Sequence, residues 1–192
     1  NLHFTAKDIA SNYDGEFPDD HKKVLQLKGV GVYTAAAITS FAFDMPYAVV
    51  DGNVIRVLSR VFGVNTPFDT STGKKEFQKL AQGLLINNKA AIYNQAIMEF
   101  GAMQCKPKSP DCSICPMQNF CVAYATNTIA ELPVKSKKIK VKKRFLHFLM
   151  IEQEGKVYLG KRKKGIWNGL YEFPFLEFPK KMTEKQFIKS DE

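Results

Sequence analysis

Four cysteines, one aspartate and a pair of glycines hold most of the chemical content of this chain. Cys105, Cys112, Cys115 and Cys121 are its only cysteines, spaced C-x6-C-x2-C-x5-C in a loop-rich stretch. Four thiols this close suit two disulfides, a tetrahedral zinc ion or a four-iron cluster. Nothing in the sequence points to secretion, and a reducing cytoplasm, the expected compartment, disfavours disulfides. Spacing alone leaves zinc and iron–sulfur both open. Upstream, Leu27-Lys28-Gly29-Val30-Gly31-Val32-Tyr33-Thr34-Ala35-Ala36-Ala37-Ile38 sets two glycines one residue apart between an apolar residue and a run of small helix formers. Gly29 and Gly31 are expected to take positive φ and to let the backbone pass close to another molecule. A glycine turn that opens a helix points free N–H groups outward, where the helix dipole favours an anion. A nucleic-acid phosphate, held without regard to base, is one such anion. The same pattern also makes an ordinary helix–turn–helix corner with a glycine cap. The following Val49-Val50-Asp51-Gly52-Asn53-Val54 places a carboxylate at a helix start. Asp51 reads as a plain N-cap, or as an anion kept charged by the helix N-terminus and available for chemistry. The two roles are compatible.

Those residues need a folded frame and a partner. The chain has 192 residues, 45% of them hydrophobic, enough for one domain with a core and part of another. Its net charge of +9 favours an anionic partner, nucleic acid or an acidic membrane surface. No apolar run approaches the ~20 residues of a membrane span. The start, Asn1-Leu2-His3-Phe4-Thr5-Ala6, has neither a basic region nor a long apolar core, so it does not read as a signal peptide. It also lacks an initiator Met, which leads to the expectation of a partial chain.

Helical periodicity runs over residues 2–14 and stops at Asp14-Gly15. Pro18, Asp19 and Asp20 open a second helix that reaches Leu27. Phe41 to Pro46 breaks the helix after the glycines, Val49 and Val50 are extended, and Asp51 starts a helix through Phe62. Phe77 to Leu85 and Ala90 to Met103 are further helices. In the second of these, Tyr93, Ile97 and Phe100-Gly101 form a stripe that reads as core rather than cofactor contact. Thr126 to Pro133 reads as a linker. The basic run Lys135-Ser136-Lys137-Lys138-Ile139-Lys140-Val141-Lys142-Lys143-Arg144 then suits either a solvated connector or phosphate contact, and its alternation at Ile139 and Val141 could lead into a strand. Phe145 to Ile151 reads as a buried strand, and Lys156 to Arg162 as its hairpin partner across Glu154-Gly155.

Leu-x-Gly-x-Gly-x-Tyr-Thr-Ala followed by Val-Asp-Gly-Asn-Val-x-Arg-Val resembles the helix–hairpin–helix DNA glycosylases, and among them the adenine-specific mismatch glycosylases of MutY type. The likeness runs to about Pro174. It implies a mostly α-helical glycosylase domain over 1–125, with the helix–hairpin–helix at 22–40 and a cluster loop at 105–121. A basic linker at 126–143 and the start of a Nudix-like α+β domain at 144–192 follow. It implies a [4Fe–4S] cluster on Cys105, Cys112, Cys115 and Cys121, structural rather than redox, pinning a loop whose Lys106 and Lys108 meet phosphates. Lys28, Gly29, Val30 and Gly31 become DNA-binding residues. Asp51 becomes catalytic, with Tyr33 able to hydrogen-bond it and Asn53 orienting it or the attacking water. Tyr33 stands where the bifunctional relatives of endonuclease III type carry a lysine nucleophile, and Ile55 removes a second lysine candidate. That argues for base removal without strand cleavage. The implied partner is double-stranded DNA with adenine mispaired with 8-oxoguanine or guanine, bound by a monomer without any membrane.

Two features of the family pattern are missing. Its general-acid glutamate lies well before the hairpin, where this chain offers only Glu16, in a turn. The loop credited with 8-oxoguanine recognition would fall beyond Glu192. Residues 1–192 are therefore expected to be inactive alone. The stretch Gly165 to Pro174 resembles the opening of the Nudix-like domain but carries no acidic hydrolase box, so no pyrophosphatase activity is expected. Two other readings fit the same residues: a pyrimidine-damage glycosylase with lyase activity, and a non-catalytic zinc DNA-binding module.

Overall fold

The computed structural model describes residues 1–136 and 142–189. The chain divides into two units, Asn1–Lys138 and Ile139–Glu192. The first is helical. Helix α1 (Leu2–Asn12) stops where Asp14 and Gly15 turn left-handed, at φ 53° and 79°. Helix α2 (His21–Gln26) starts at Asp20, whose side chain accepts a hydrogen bond from the Lys23 amide at 3.0 Å. The chain then reverses at Gly29, with φ +89°, and Val30 N–H closes the turn on the Leu27 carbonyl at 3.0 Å. Gly31 does not share that conformation. Its φ of −99° and ψ of 178° are extended, because one left-handed residue completes the reversal and Gly31 only begins helix α3 (Val32–Phe43). Helix α3 ends at Asp44, again left-handed.

Residues 46–50 form neither helix nor strand. Side-chain amides take the place of a ladder. Gln82 accepts from the Ala48 amide at 3.0 Å and donates to the Pro46 carbonyl at 2.8 Å. Gln78 donates to the Ala48 carbonyl at 3.1 Å. The buried Asn94 accepts from Val49 N–H at 3.1 Å and donates to the Tyr47 carbonyl at 2.9 Å. These side chains meet the backbone groups of Pro46 to Val49 that would otherwise lose water without a partner. The segment delivers the chain to Asp51 and helix α4 (Gly52–Phe62).

Gln78 and Gln82 lie on helix α5 (Ser71–Leu84), Asn94 on helix α6 (Ala90–Met103). Helix α5 begins two turns before the expected Phe77. Thr70 caps it, accepting from Gly73 N–H at 3.0 Å, and the first turns are polar and carry no apolar period. Ala48, Val54, Leu58, Phe77 and Ala81 form the buried centre between α4 and α5. Against α6, α4 comes so close that a Cβ on Gly101 would sit 2.8 Å from the Asn53 Cβ and 2.9 Å from its carbonyl oxygen. The cysteine stretch follows, with a 3-10 turn at Gln118–Phe120 and helix α7 (Val122–Ala125). Thr126 to Pro133, read as a linker, is anchored at its end: Leu132 is buried, and just beyond it the Val134 carbonyl accepts from Phe68 N–H at 3.1 Å. Lys137 to Val141 of the basic run, including Ile139 and Val141, lie outside the described residues. Among the described residues no helix is long and apolar enough to cross a membrane.

The second unit is built from short strands. Strand β1 (Phe145–Phe148) is shorter and less buried than expected, with Met150 and Ile151 exposed. Its partner is β6 (Phe175–Phe178), antiparallel, with Phe145 opposite Phe178, not the Lys156–Arg162 segment. The turn at Glu154-Gly155 joins only β2 (Glu152–Gln153) to β3 (Lys156–Val157). Strand β4 (Gly160–Lys161) pairs with β5 (Tyr171–Glu172). The phenylalanines explain the exchange of partners: Phe148 and Phe175 meet across the ladder at 5.5 Å between ring centroids. His147 packs on Phe178 and on Phe187 of helix α8 (Glu184–Ile188), which opens with a Thr183–Gln186 capping box.

If the amides stand in for a strand, Asn94→Ala leaves the Val49 N–H and the Tyr47 carbonyl buried without partners. The expected cost is about 2–4 kcal/mol in urea unfolding. A loss under about 0.5 kcal/mol, the scatter of surface substitutions, would show that the segment holds without that amide.

Candidate active site and cysteine pocket

Asp51 stands at the N-terminus of α4, half-buried, with both carboxylate oxygens engaged by its own helix. Oδ1 accepts from Val54 N–H at 2.8 Å and Oδ2 from Asn53 Nδ2 at 2.9 Å. A carboxylate has lone pairs to spare beyond these two bonds. Asn53 is held at its other end too, since its Oδ1 accepts from Arg56 Nη2 at 2.8 Å. Only one orientation of the Asn53 amide satisfies both neighbours. Arg56 in turn donates to the Gly101 carbonyl at 2.6 Å and, through Nε, to the Cys105 carbonyl at 2.7 Å. Burial lowers the Arg56 guanidinium from its ordinary value; the Cys105 thiolate opposes that, Arg60 adds to it, and Asp51 opposes it. A chain of side chains thus links the carboxylate to the first cysteine.

Tyr33 is exposed on the wall of an open groove, together with Val32, Val50, Ile55, Gln78 and Lys79. It does not bond Asp51: among the described residues the carboxylate's partners are Asn53 and Val54. The hairpin residues Lys28, Gly29 and Gly31 are exposed and Val30 is half-buried. Helix α3 has no side-chain cap, so its first N–H groups face solvent. The Lys28 ammonium lies 4.2 Å from the Phe4 ring centroid. Lys106 and Lys108 are exposed at the edge of the cysteine loop.

All four cysteines are free and half-buried, so none is in a disulfide. Together with Arg60 and Phe100 they line one pocket. Phe100, read as core, therefore borders the cysteine site. Burial raises the Cys112 thiol from its ordinary value; Cys115, Cys105 and Cys121 add to the rise and Arg60 opposes it. Among the described residues no group of three or more His, Cys, Asp or Glu is placed to hold one metal ion. Four thiols lining one pocket supply the donor set that a [4Fe–4S] cluster or a zinc ion takes.

Arg60 and Asn94 went unnoticed in the sequence, and Arg56 stood only as a motif position with no role assigned to it. The signal was there for the arginines: two of them four residues apart, inside an otherwise apolar helix, mark a buried charged face.

The iron–sulfur binding domain of endonuclease III matches residues 105–121, from the first cysteine to the last. A solved non-covalent endonuclease III–DNA complex overlays with a TM-score of 0.56 at 29% identity, covering 66% of this chain and 57% of that one. Fold and loop together define a helix–hairpin–helix DNA glycosylase scaffold with a [4Fe–4S] loop. The adenine DNA glycosylase of Buchnera aphidicola subsp. Baizongia pistaciae is 32% identical over 176 residues, 91% of this chain and 50% of that protein. The Arabidopsis thaliana adenine DNA glycosylase is 37% identical over 185 residues, 88% of this chain and 29% of that protein. The chain is thus a homologue of the adenine DNA glycosylases within the helix–hairpin–helix superfamily, and spans about half the length of the Buchnera relative.

Gly101→Ala would push α6 off Asn53 and disturb Arg56 with it. The expected result is a loss of about 1–3 kcal/mol and less iron per chain, read by denaturant melts and iron assay. Unchanged melting and iron content would show that α4 and α6 part freely.

Proposed function

We propose that this chain is the central part of a monofunctional base-excision DNA glycosylase that removes adenine mispaired with 8-oxoguanine or guanine. The observation that supports it most directly is the Asp51 carboxylate, held by Asn53 and the Val54 amide, with its neighbour Val50 on the wall of an open groove where position 33 is a tyrosine rather than a lysine.

Breaking an N-glycosidic bond builds positive charge on the deoxyribose as the base departs. A fixed anion facing that sugar stabilises the transition state more than the ground state. Asp51 takes this role, and Asn53, locked by Arg56, holds its carboxylate in one orientation. Tyr33 lines the groove and supplies no amine at the position where the bifunctional relatives carry their lysine nucleophile, so no Schiff base forms there and the strand is not cut. The bare N-terminus of α3 with Lys28, Gly29, Val30 and Gly31, and the loop lysines Lys106 and Lys108, grip backbone phosphates. Cys105, Cys112, Cys115 and Cys121 hold the cluster, which supplies a rigid support for that loop.

The family's general-acid glutamate lies well before the hairpin, where the sequence offers only Glu16, in a turn, so no general acid is assigned. Residues 1–192 alone therefore bind a mispaired duplex weakly and excise little. Residues 144–192 read as the start of a Nudix-like domain on the strength of Gly165 to Pro174. The active protein is a monomer.

Asp51→Asn separates catalysis from capping, because asparagine caps helices as well as aspartate does. In a longer protein that excises adenine, single-turnover release from an adenine:8-oxoguanine duplex should fall at least ~100-fold. Stability should stay within about 0.5 kcal/mol. Retained excision would overturn the assignment. Borohydride should trap no covalent DNA adduct at any time point; a trapped adduct would favour a lyase of endonuclease III type.

A further inference from the structure

Among the described residues Arg60 is a buried cation that pairs with no carboxylate. Its side chain is on α4, one turn after Arg56, and the residue is 3% exposed. Nε donates to the Ile129 and Leu132 carbonyls at 3.1 and 3.2 Å. Nη2 donates to the Pro107 carbonyl at 3.2 Å, and Nη1 to the Lys106 carbonyl at 2.8 Å. Its remaining contact is Cys105 Sγ, 3.4 Å from Nη1. The backbone on the other side of the site is engaged as well: the Arg60 carbonyl lies 3.4 Å from Cys121 Sγ.

Four neutral carbonyls satisfy hydrogen bonds but do not neutralise a charge. Among the described residues the ion pairs are Arg144 with Glu177 and Arg162 with Glu172, and neither involves Arg60. Burying an unpaired guanidinium is costly, and a protonated thiol is a poor acceptor. A thiolate ligand is a good one, and four of them give the cysteine pocket the negative charge that a buried cation requires.

We infer that Arg60 is the counter-cation of the [4Fe–4S] site: its guanidinium donates to the Cys105 thiolate, raises the reduction potential of the loaded loop and slows its oxidative loss. The sign follows from charge. One-electron oxidation by ferricyanide moves an electron from the cluster to ferricyanide and makes the site more positive by one unit. A cation in a low-dielectric pocket opposes that change, and hydrogen bonds to the sulfurs act in the same direction.

The test uses the 192-residue protein with its cluster loaded and no DNA present. Absorbance near ~400 nm is followed after addition of ferricyanide, and the potential is read by protein-film voltammetry. Arg60→Gln should bleach at least about fivefold faster than wild type and show a lower potential. Lys106→Gln removes a charge from the same loop at an exposed site, where solvent screens it, and should stay within about twofold of wild type. Citrulline at position 60 keeps the planar shape but not the charge, and decides the matter if the glutamine variant does not fold; it too should bleach faster at a lower potential. Wild-type rate and potential in either folded variant would reduce Arg60 to a clasp for four carbonyls and overturn the inference. An equal shift in Lys106→Gln would overturn it as well, since net charge alone would then account for the effect.

Discussion

Two guanidinium groups on one buried face of α4 constrain everything around them. Arg56 and Arg60 are four residues apart, so they project from successive turns toward the same neighbours. Neither can be left without acceptors in the interior. The acceptors they find are the carbonyls of Gly101, Cys105, Lys106, Pro107, Ile129 and Leu132. Those residues belong to the end of α6, the start of the cysteine loop and the stretch after α7. One helix thereby gathers three segments distant in sequence. The same helix carries Asp51 at its head and, near its other end, Arg60 and Val61 on the wall of the cysteine pocket.

The approach to Asp51 is fixed with equal economy. A segment entering the interior without a neighbouring strand would leave its amides and carbonyls bare. Asn94, Gln78 and Gln82 remove that penalty, each side chain standing in for a backbone partner. The position of the carboxylate is therefore set from behind by α5 and α6 and from ahead by its own helix. Gln78 and Gln82 of that support also stand on the wall of the groove.

Much of this was legible before the fold. Asp51 as a cap, the glycine reversal, the helix ends and the grouping of four cysteines all follow from local rules about charge, φ and turn chemistry. What could not be read were long-range substitutions of one kind of bond for another. Asn94 looks like any polar residue on a helix until Val49 is beside it. Gly31 carried a glycine pattern but needed no glycine conformation. In the second unit, β1 found β6 rather than its nearest neighbour in sequence, because facing phenylalanines outweighed a short connection. The Tyr33–Asp51 hydrogen bond inferred from chemistry is not among those the carboxylate makes, which go to Asn53 and to the Val54 amide.

The contact between Gly101 and Asn53 has a genetic consequence. Every amino acid other than glycine brings a Cβ, and at this spot a Cβ meets backbone and side chain together. No missense change at codon 101 is conservative. Each one strains, in a single event, the residue that orients the acid and the loop that carries the iron, so this codon offers evolution no intermediate step between intact and impaired.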